Sequence, residues 1–202
     1  MIFAEKQKLR GYNMKYKDNE LTIRPIIEED LRAIWELAFK ESSPEWKKWD
    51  APYYEHKALT YEQFIHEKNY WINQDHRWVI VVEGNIIGTV NYYWEHKPSK
   101  WLEMGIVIYK SEFWNGGYGT RAFKMWIAHL FGTMPLVRVG FTTWSGNKRM
   151  MNLGEKMGMT LEARIRKVRF YNGNYYDSIR MGLLREEWEQ NLNSSNRKRE
   201  TV

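Results

Sequence analysis

Three of four consecutive residues are glycine in the segment Trp114-Asn115-Gly116-Gly117-Tyr118-Gly119-Thr120, which lies between an apolar strand-like run and a helical pattern. With no side chains in the way, backbone amides can approach an anion closely, and a helix starting here adds the positive end of its dipole. Such a turn suits phosphate binding, although glycine clusters before helices also serve as plain tight turns. Two sharper phosphate patterns fail on the residues themselves. A Walker loop ends in Gly-Lys-Ser/Thr, where this chain has Gly119-Thr120-Arg121. The dinucleotide fingerprint G-x-G-x-x-A is matched in form by Gly117, Gly119 and Ala122. It expects an acid about 20 residues further on, where Val137, Arg138 and Val139 stand, and it expects parallel βαβ units.

Glu103 is the second residue whose setting suggests chemistry. It stands inside Trp101-Leu102-Glu103-Met104-Gly105-Ile106-Val107, where burying an unpaired carboxylate is costly. Acids kept in such places can serve as general bases. A structural role competes on equal terms, with Glu103 on an exposed face or paired with Arg138 on a neighbouring strand. Metal chemistry finds no support: His56, His66, His76, His96 and His129 show no ligand spacing. The absence of cysteine removes thiolate zinc sites, iron–sulfur clusters, disulfides and Cys nucleophiles. Ser145 lacks the His and Asp arrangement of a nucleophilic triad and reads as a turn residue.

The elements that must hold these residues fit one domain of ordinary size, since the chain has 202 residues. Leu21 to Ile26 reads as a strand, and Glu28 to Phe39 as a helix with Leu31, Ile34, Trp35 and Ala38 on one face. Residues 42–59 form an aromatic loop broken by Pro44 and Pro52, and Thr60 with Gln63 makes a capping box for a second helix. Arg77 to Val82, Ile86 to Trp94 and Trp101 to Tyr109 are a three-strand meander. Phe123, Trp126, Ile127, Leu130 and Phe131 repeat at helical spacing after the glycine turn, and Leu136 to Thr143 is a strand. Asn147 to Met157 is a helix, and Asn172-Gly173 joins two long strands in a hairpin. Residues 191–202 are polar and read as a disordered tail. Residues 1–20 read as an N-terminal extension, with Met14 a second plausible start.

The charge of +6 and pI near 9.3 favour an anionic partner such as a phosphorylated cofactor. Apart from Arg197 to Arg199 the basic residues are scattered, so sequence-specific nucleic-acid binding is not expected. No apolar run reaches the roughly 18 residues of a membrane span, and Ile2, Phe3 and Ala4 are too short for a signal h-region. The expected location is cytoplasmic. Of the eleven Trp, 13 Tyr and eight Phe some fill the core, and a share of that size also suits a pocket wall for a flat or extended ligand.

With these elements in order, the chain resembles the GNAT superfamily of acetyl-CoA-dependent N-acetyltransferases, whose Q/R-x-x-G-x-G/A signature aligns with Trp114 to Gly119. Trp114 replaces the usual Gln or Arg. In this the segment is similar to the branch acting on ribosomal-protein N-termini, which reads Trp-Gly-x-Gly-x-Ala/Gly, and Asn115 departs from that pattern. The likeness runs from about Leu21 to Trp188 and includes Asn147 followed eleven residues later by Gly158-Met159.

The resemblance implies a single α/β (α+β) domain over residues 21–190. Its mixed, mostly antiparallel seven-stranded sheet would have splayed central strands flanked by helices. Acetyl-CoA would be the co-substrate, with no metal. Backbone groups of Gly105, Ile106, Val107 and Ile108 would pair with the pantetheine arm. Amides of Asn115, Gly116, Gly117, Tyr118, Gly119 and Thr120 would hold the pyrophosphate, and Asn147 would contact the cofactor arm. Glu103 would take the proton of the acceptor ammonium, directly or through water.

The family's general acid is a Tyr seven residues after the Asn, or a Ser three after it, and here Gly154 and Met150 hold those places. Water or another tyrosine, such as Tyr109 or Tyr118, would then serve. The 42–59 loop matches the acceptor wall, which assigns Trp46, Trp49, Asp50, Tyr53 and Tyr54 to substrate binding. The expected acceptor is a protein or peptide N-terminus. The alternative is a small amine, a polyamine or aminoglycoside-like antibiotic, for which Glu45, Asp50, Glu55 and Glu62 make an acidic mouth. The missing acid also keeps open a non-catalytic acyl-CoA-binding module. Either a monomer or a homodimer joined near Tyr171, Tyr175 and Tyr176 fits the sequence.

Overall fold

A computed structural model describes residues 14–200, with side chains to residue 194. Its strands are Tyr16–Asp18 (β1), Leu21–Pro25 (β2), Arg77–Val82 (β3), Asn85–His96 (β4), Trp101–Ile108 (β5), Arg138–Trp144 (β6), Thr160–Tyr171 (β7) and Asn174–Leu184 (β8). The α-helices are Leu31–Ala38 (α1), Tyr61–His66 (α2), Tyr118–Thr133 (α3), Lys148–Lys156 (α4) and Arg185–Glu200 (α5). The strands hydrogen-bond in the order β1-β2-β3-β4-β5-β6-β8-β7. Pairs β1-β2, β2-β3, β3-β4, β6-β8 and β7-β8 are antiparallel. Strands β5 and β6 run parallel, and the last pair of their ladder is Glu103 with Gly140. This is the mixed, mostly antiparallel sheet with helices that the sequence implies.

The count is eight strands, not seven, because Tyr16–Asp18 pairs with β2 inside the stretch read as an extension. A three-residue edge strand needs little apolar pattern, and Tyr16 supplies it by packing on Trp78 at 6.0 Å. At the other end α5 continues to Glu200 through residues read as a disordered tail. Buried Trp188 anchors its start, and Glu186 and Glu187 in the first turn complement the helix dipole. Residues 1–13 and 201–202, which belong to the expected extension and tail, lie outside the described residues.

The chain divides into two compact units. The first ends at Tyr92 and resumes over Gly105–Trp126. Its core joins Leu31 and Ile34 of α1 to Phe64, Trp71, Val79, Val81 and Ile86. Helix α2 begins at the expected capping box: Gln63 N–H donates to Thr60 Oγ1 at 3.2 Å, and Thr60 N–H donates to Gln63 Oε1 at 2.8 Å. The second unit holds Tyr93–Met104 and the chain from Ile127 onward. Its long β7-β8 hairpin turns at Asn172 and Gly173, with φ of 47° and 74°, as the Asn-Gly pair predicts. On this hairpin Tyr175 is exposed, while Tyr176 packs edge-on to Trp144 at 4.7 Å.

Candidate functional site

In the first unit, a 3₁₀ turn at Ser111–Phe113 leads from β5 into the glycine segment. Trp114 ties that segment to the strand, its indole N–H donating to the Ile108 carbonyl at 2.9 Å while its ring meets Trp49 edge-on at 6.4 Å. Asn115 and Gly117 have φ of 64° and 81°, and the chain reverses there before α3 starts at Tyr118. The Arg121 N–H donates to the Gly117 carbonyl at 3.0 Å, inside the first turn of α3. A Cβ on Gly117 would meet no atom within 4 Å, so the space in front of this backbone is open. A positive φ that only glycine takes at low cost, an open face and a helix start together fit an anionic pyrophosphate.

Arg121, in the first turn of α3, is engaged by carboxylates. Its guanidinium donates to Asp18 Oδ2 at 2.6 Å and Glu20 Oε1 at 2.6 Å, so the β1-β2 hairpin clamps the start of α3. Arg121 is thus neutralised by this pair of carboxylates beside the turn.

Upstream on β5, a side chain at Gly105 would overlap Asn91. Ile106, Val107 and Ile108 are half-buried, and the Val107 carbonyl lies against Gly88. Tyr109, next in the chain, shares a 2.9 Å hydrogen bond with Thr89 and packs edge-on to Trp46 at 5.5 Å. Burial pushes its phenol pKa up, the Thr89 hydrogen bond opposing.

The five loop residues divide. Trp46 is buried, its indole donating to the Leu37 carbonyl at 3.2 Å, so it braces the loop from inside. Trp49 is half-buried against Trp114. Asp50 lies on the exposed side, and Tyr54 is 60% exposed with its ring 4.9 Å from that of Tyr53. Crowding by the loop desolvates the Asp50 carboxyl and raises its pKa, with Lys47 and His56 opposing. Ala51, at φ 44°, is held in the left-handed region, and Lys47 Nζ donates to its carbonyl at 3.1 Å.

In the second unit, Glu103 is fully buried. Its Oε2 accepts hydrogen bonds from Thr142 Oγ1 at 2.6 Å and Tyr93 Oη at 3.0 Å, and Oε1 has no partner among the described residues. Arg138 does not pair with it, since that guanidinium bonds Glu162 on β7. Asn147 caps α4, its Oδ1 accepting from the Met150 N–H at 3.0 Å. Ser145 closes a loop with Asp177, whose N–H donates to its Oγ at 2.9 Å. Among the described residues no group of three or more His, Asp or Glu could hold a metal ion.

Residues 20–160 match the family model of the acetyltransferase (GNAT) domain. The chain belongs to the GNAT acetyltransferase family. It is an acetyl-CoA-dependent N-acetyltransferase. Spermidine N(1)-acetyltransferase of Escherichia coli K12 is 24% identical over 173 residues, which cover 84% of this chain and 89% of that one. An N-acetyltransferase from the SPbeta prophage of Bacillus subtilis 168 is 25% identical, over 85% of this chain and 93% of that one. Among solved structures, spermidine N-acetyltransferase of Vibrio cholerae in complex with CoA and spermine is similar at a TM-score of 0.70. It shows 21% identity and covers 85% and 99% of the two chains. A GNAT acetyltransferase of Bacillus anthracis gives 0.69 and 22%, covering 86% and 100%.

In this GNAT chain Gly154, which stands where the resemblance expects a Tyr, packs against side chains of β6 and β8. A Cβ at Gly154 would come within 2.8 Å of Met181 Sδ and Phe141 Cζ, so a side chain there would have to displace the ends of these two side chains from β6 and β8. Two residues beside Glu103, Tyr93 and Thr142, escape a reading of motifs. Register could have found Thr142: Glu103 faces Gly140 in the parallel ladder, and Thr142 follows two residues on, on the same face.

Proposed function

We propose that this enzyme acetylates a small polycationic amine of the polyamine class. The likeness that carries this reading is to spermidine N-acetyltransferases over most of both chains. The chemistry of the acceptor loop supports it. Residues 41–62 hold five carboxylates against three lysines in a chain of net charge +6. Within it, Asp50 is exposed, so an approaching ammonium can reach its carboxyl. A second reading, an acceptor at a protein N-terminus, draws on Trp114 at the head of the glycine turn.

When bound, acetyl-CoA supplies the thioester carbonyl that the amine attacks. The amides of Asn115 to Thr120 hold its pyrophosphate and β5 from Gly105 to Ile108 lines its arm. Glu103 is the base: an acceptor that arrives as an ammonium must lose a proton before it can attack, and Glu103 offers a buried carboxyl whose Oε2 is held by two hydroxyls and whose Oε1 has no partner among the described residues. Asp50 and Tyr54 contact the acceptor. Release of free CoA measured with spermidine, spermine, an aminoglycoside and peptides of varied N-terminus tests the choice. Turnover with the polyamines well above that with peptides is expected, and the reverse order would replace this reading by the second.

A further inference from the structure

We infer that Glu103 acts through the hydroxyls of Tyr93 and Thr142, which carry the acceptor's proton to a carboxylate the acceptor does not touch. The inference rests on the reading of Glu103 as the base. Glu103 is 0% exposed, so an amine nitrogen has no direct path to it, whereas Tyr93 is 48% exposed and Thr142 is also exposed. Both hydroxyls donate to the same atom, Oε2, with Thr142 making the shorter bond, 2.6 Å against 3.0 Å. A hydroxyl whose proton points inward to a carboxylate presents its lone pairs outward, where they can accept.

The transfer balances. The ammonium N–H bond breaks and its proton forms a new O–H bond with Thr142 Oγ1 or Tyr93 Oη. In the same step that hydroxyl's own proton moves to Glu103 Oε2. The amine keeps the electron pair of the broken bond, the hydroxyl is regenerated, and the positive and negative charges end as a neutral amine and a neutral carboxylic acid. A concerted exchange is required, because burial and the Glu103 charge push the Tyr93 phenol up and a free phenolate is inaccessible. Glu95 on the same strand adds to that rise, and Arg180 on β8 opposes it.

The test is kcat against pH at saturating acetyl-CoA for Tyr93→Phe, Thr142→Val, the double variant, Thr142→Ser and Glu103→Gln. The double variant should lose about 10²- to 10⁴-fold at neutral pH, as Glu103→Gln does, and recover at high pH where free amine is abundant. Each single variant should lose less, and Thr142→Ser, which keeps the hydroxyl, should retain the wild-type profile. Added to Glu103→Gln, the double change should cost nothing more. Acetyl-CoA affinity by calorimetry should hold throughout. A folded double variant with wild-type kcat and profile beside an impaired Glu103→Gln overturns the relay alone, whereas wild-type behaviour of Glu103→Gln overturns the base. If the double variant does not fold, unshifted profiles in both single variants overturn the relay equally.

Discussion

The glycine turn is built from consecutive residues and presents backbone, whereas the Glu103 cluster takes one side chain each from β4, β5 and β6, separated by 10 and 39 residues. The turn keeps its shape where the chain departs from expected residues: Trp114 stands for the Gln or Arg of the superfamily signature and Asn115 for the Gly of the branch pattern, yet Gly117 holds φ at 81° beside the helix start. The cluster has no such tolerance. Its geometry depends on strand register, because a slip of one residue would turn Glu103 to the other face and separate it from both hydroxyls. Backbone sites are therefore robust and local, and side-chain sites are exact and distributed.

The sharpest way to break that contrast is Glu103→Gln, with the largest expected effect. It keeps the shape and one hydrogen-bond acceptor but removes the basicity. We expect kcat at neutral pH to fall by about 10²- to 10⁴-fold, with acetyl-CoA affinity unchanged and most of the loss regained at high pH. A pH profile identical to wild type would make the cluster structural and leave the turn as the only functional half of the comparison.

Gly117→Val comes next and addresses the turn. A β-branched residue at φ 81° is strained, at roughly 1–2 kcal/mol, and its methyl groups fill the open space in front of the amides. Acetyl-CoA binding by calorimetry should weaken about 10- to 100-fold, the loss of one or two hydrogen bonds to a charged group. Unchanged affinity in a folded variant would place the pyrophosphate elsewhere.

Smaller again is the effect expected in the acceptor loop. Asp50→Asn should raise KM for a polyamine about tenfold and Tyr54→Ala by less, and neither should alter the acetyl-CoA constant. The reverse pattern, a changed acetyl-CoA constant with an unchanged acceptor KM, would remove this loop from the acceptor site.

Legibility follows the same division. The glycine turn, the capping box at Thr60 and the Asn172-Gly173 hairpin rest on residue types acting within a few positions, and all three read directly. The strand carrying Glu103 read correctly as well. Its partners did not, because an exposed Tyr and Thr in polar-out positions have no signature until strands are paired. The alternative pairing of Glu103 with Arg138 looked reasonable on neighbouring strands, but Glu162 on β7 claims that guanidinium. Gly154 was legible as a departure and not as a cause. The structure adds that the side-chain ends of Met181 and Phe141 occupy the space beside it. The charged pattern of residues 16–20 concealed β1, whose Asp18 has its partner more than 100 residues away at Arg121.

That clamp gives the smallest expected effect, and it asks whether the local turn truly stands alone. Glu20 has its pKa lowered from 4.5, chiefly by the Arg121 hydrogen bond. A carboxyl depressed on folding contributes stability that is present above its unfolded value and lost as pH falls through the folded one. Glu20→Gln should therefore lower Tm slightly at neutral pH, and the difference from wild type should close as pH drops below 4.5. The pair is partly exposed, so added salt should shrink the difference as well. Joining Asp18→Asn to Glu20→Gln releases Arg121 beside the glycine turn. If the turn depends on its clamp, acetyl-CoA affinity changes together with Tm, and the cofactor site is as distributed as the Glu103 cluster. If Tm alone moves, the turn is self-sufficient and the contrast between the two regions stands.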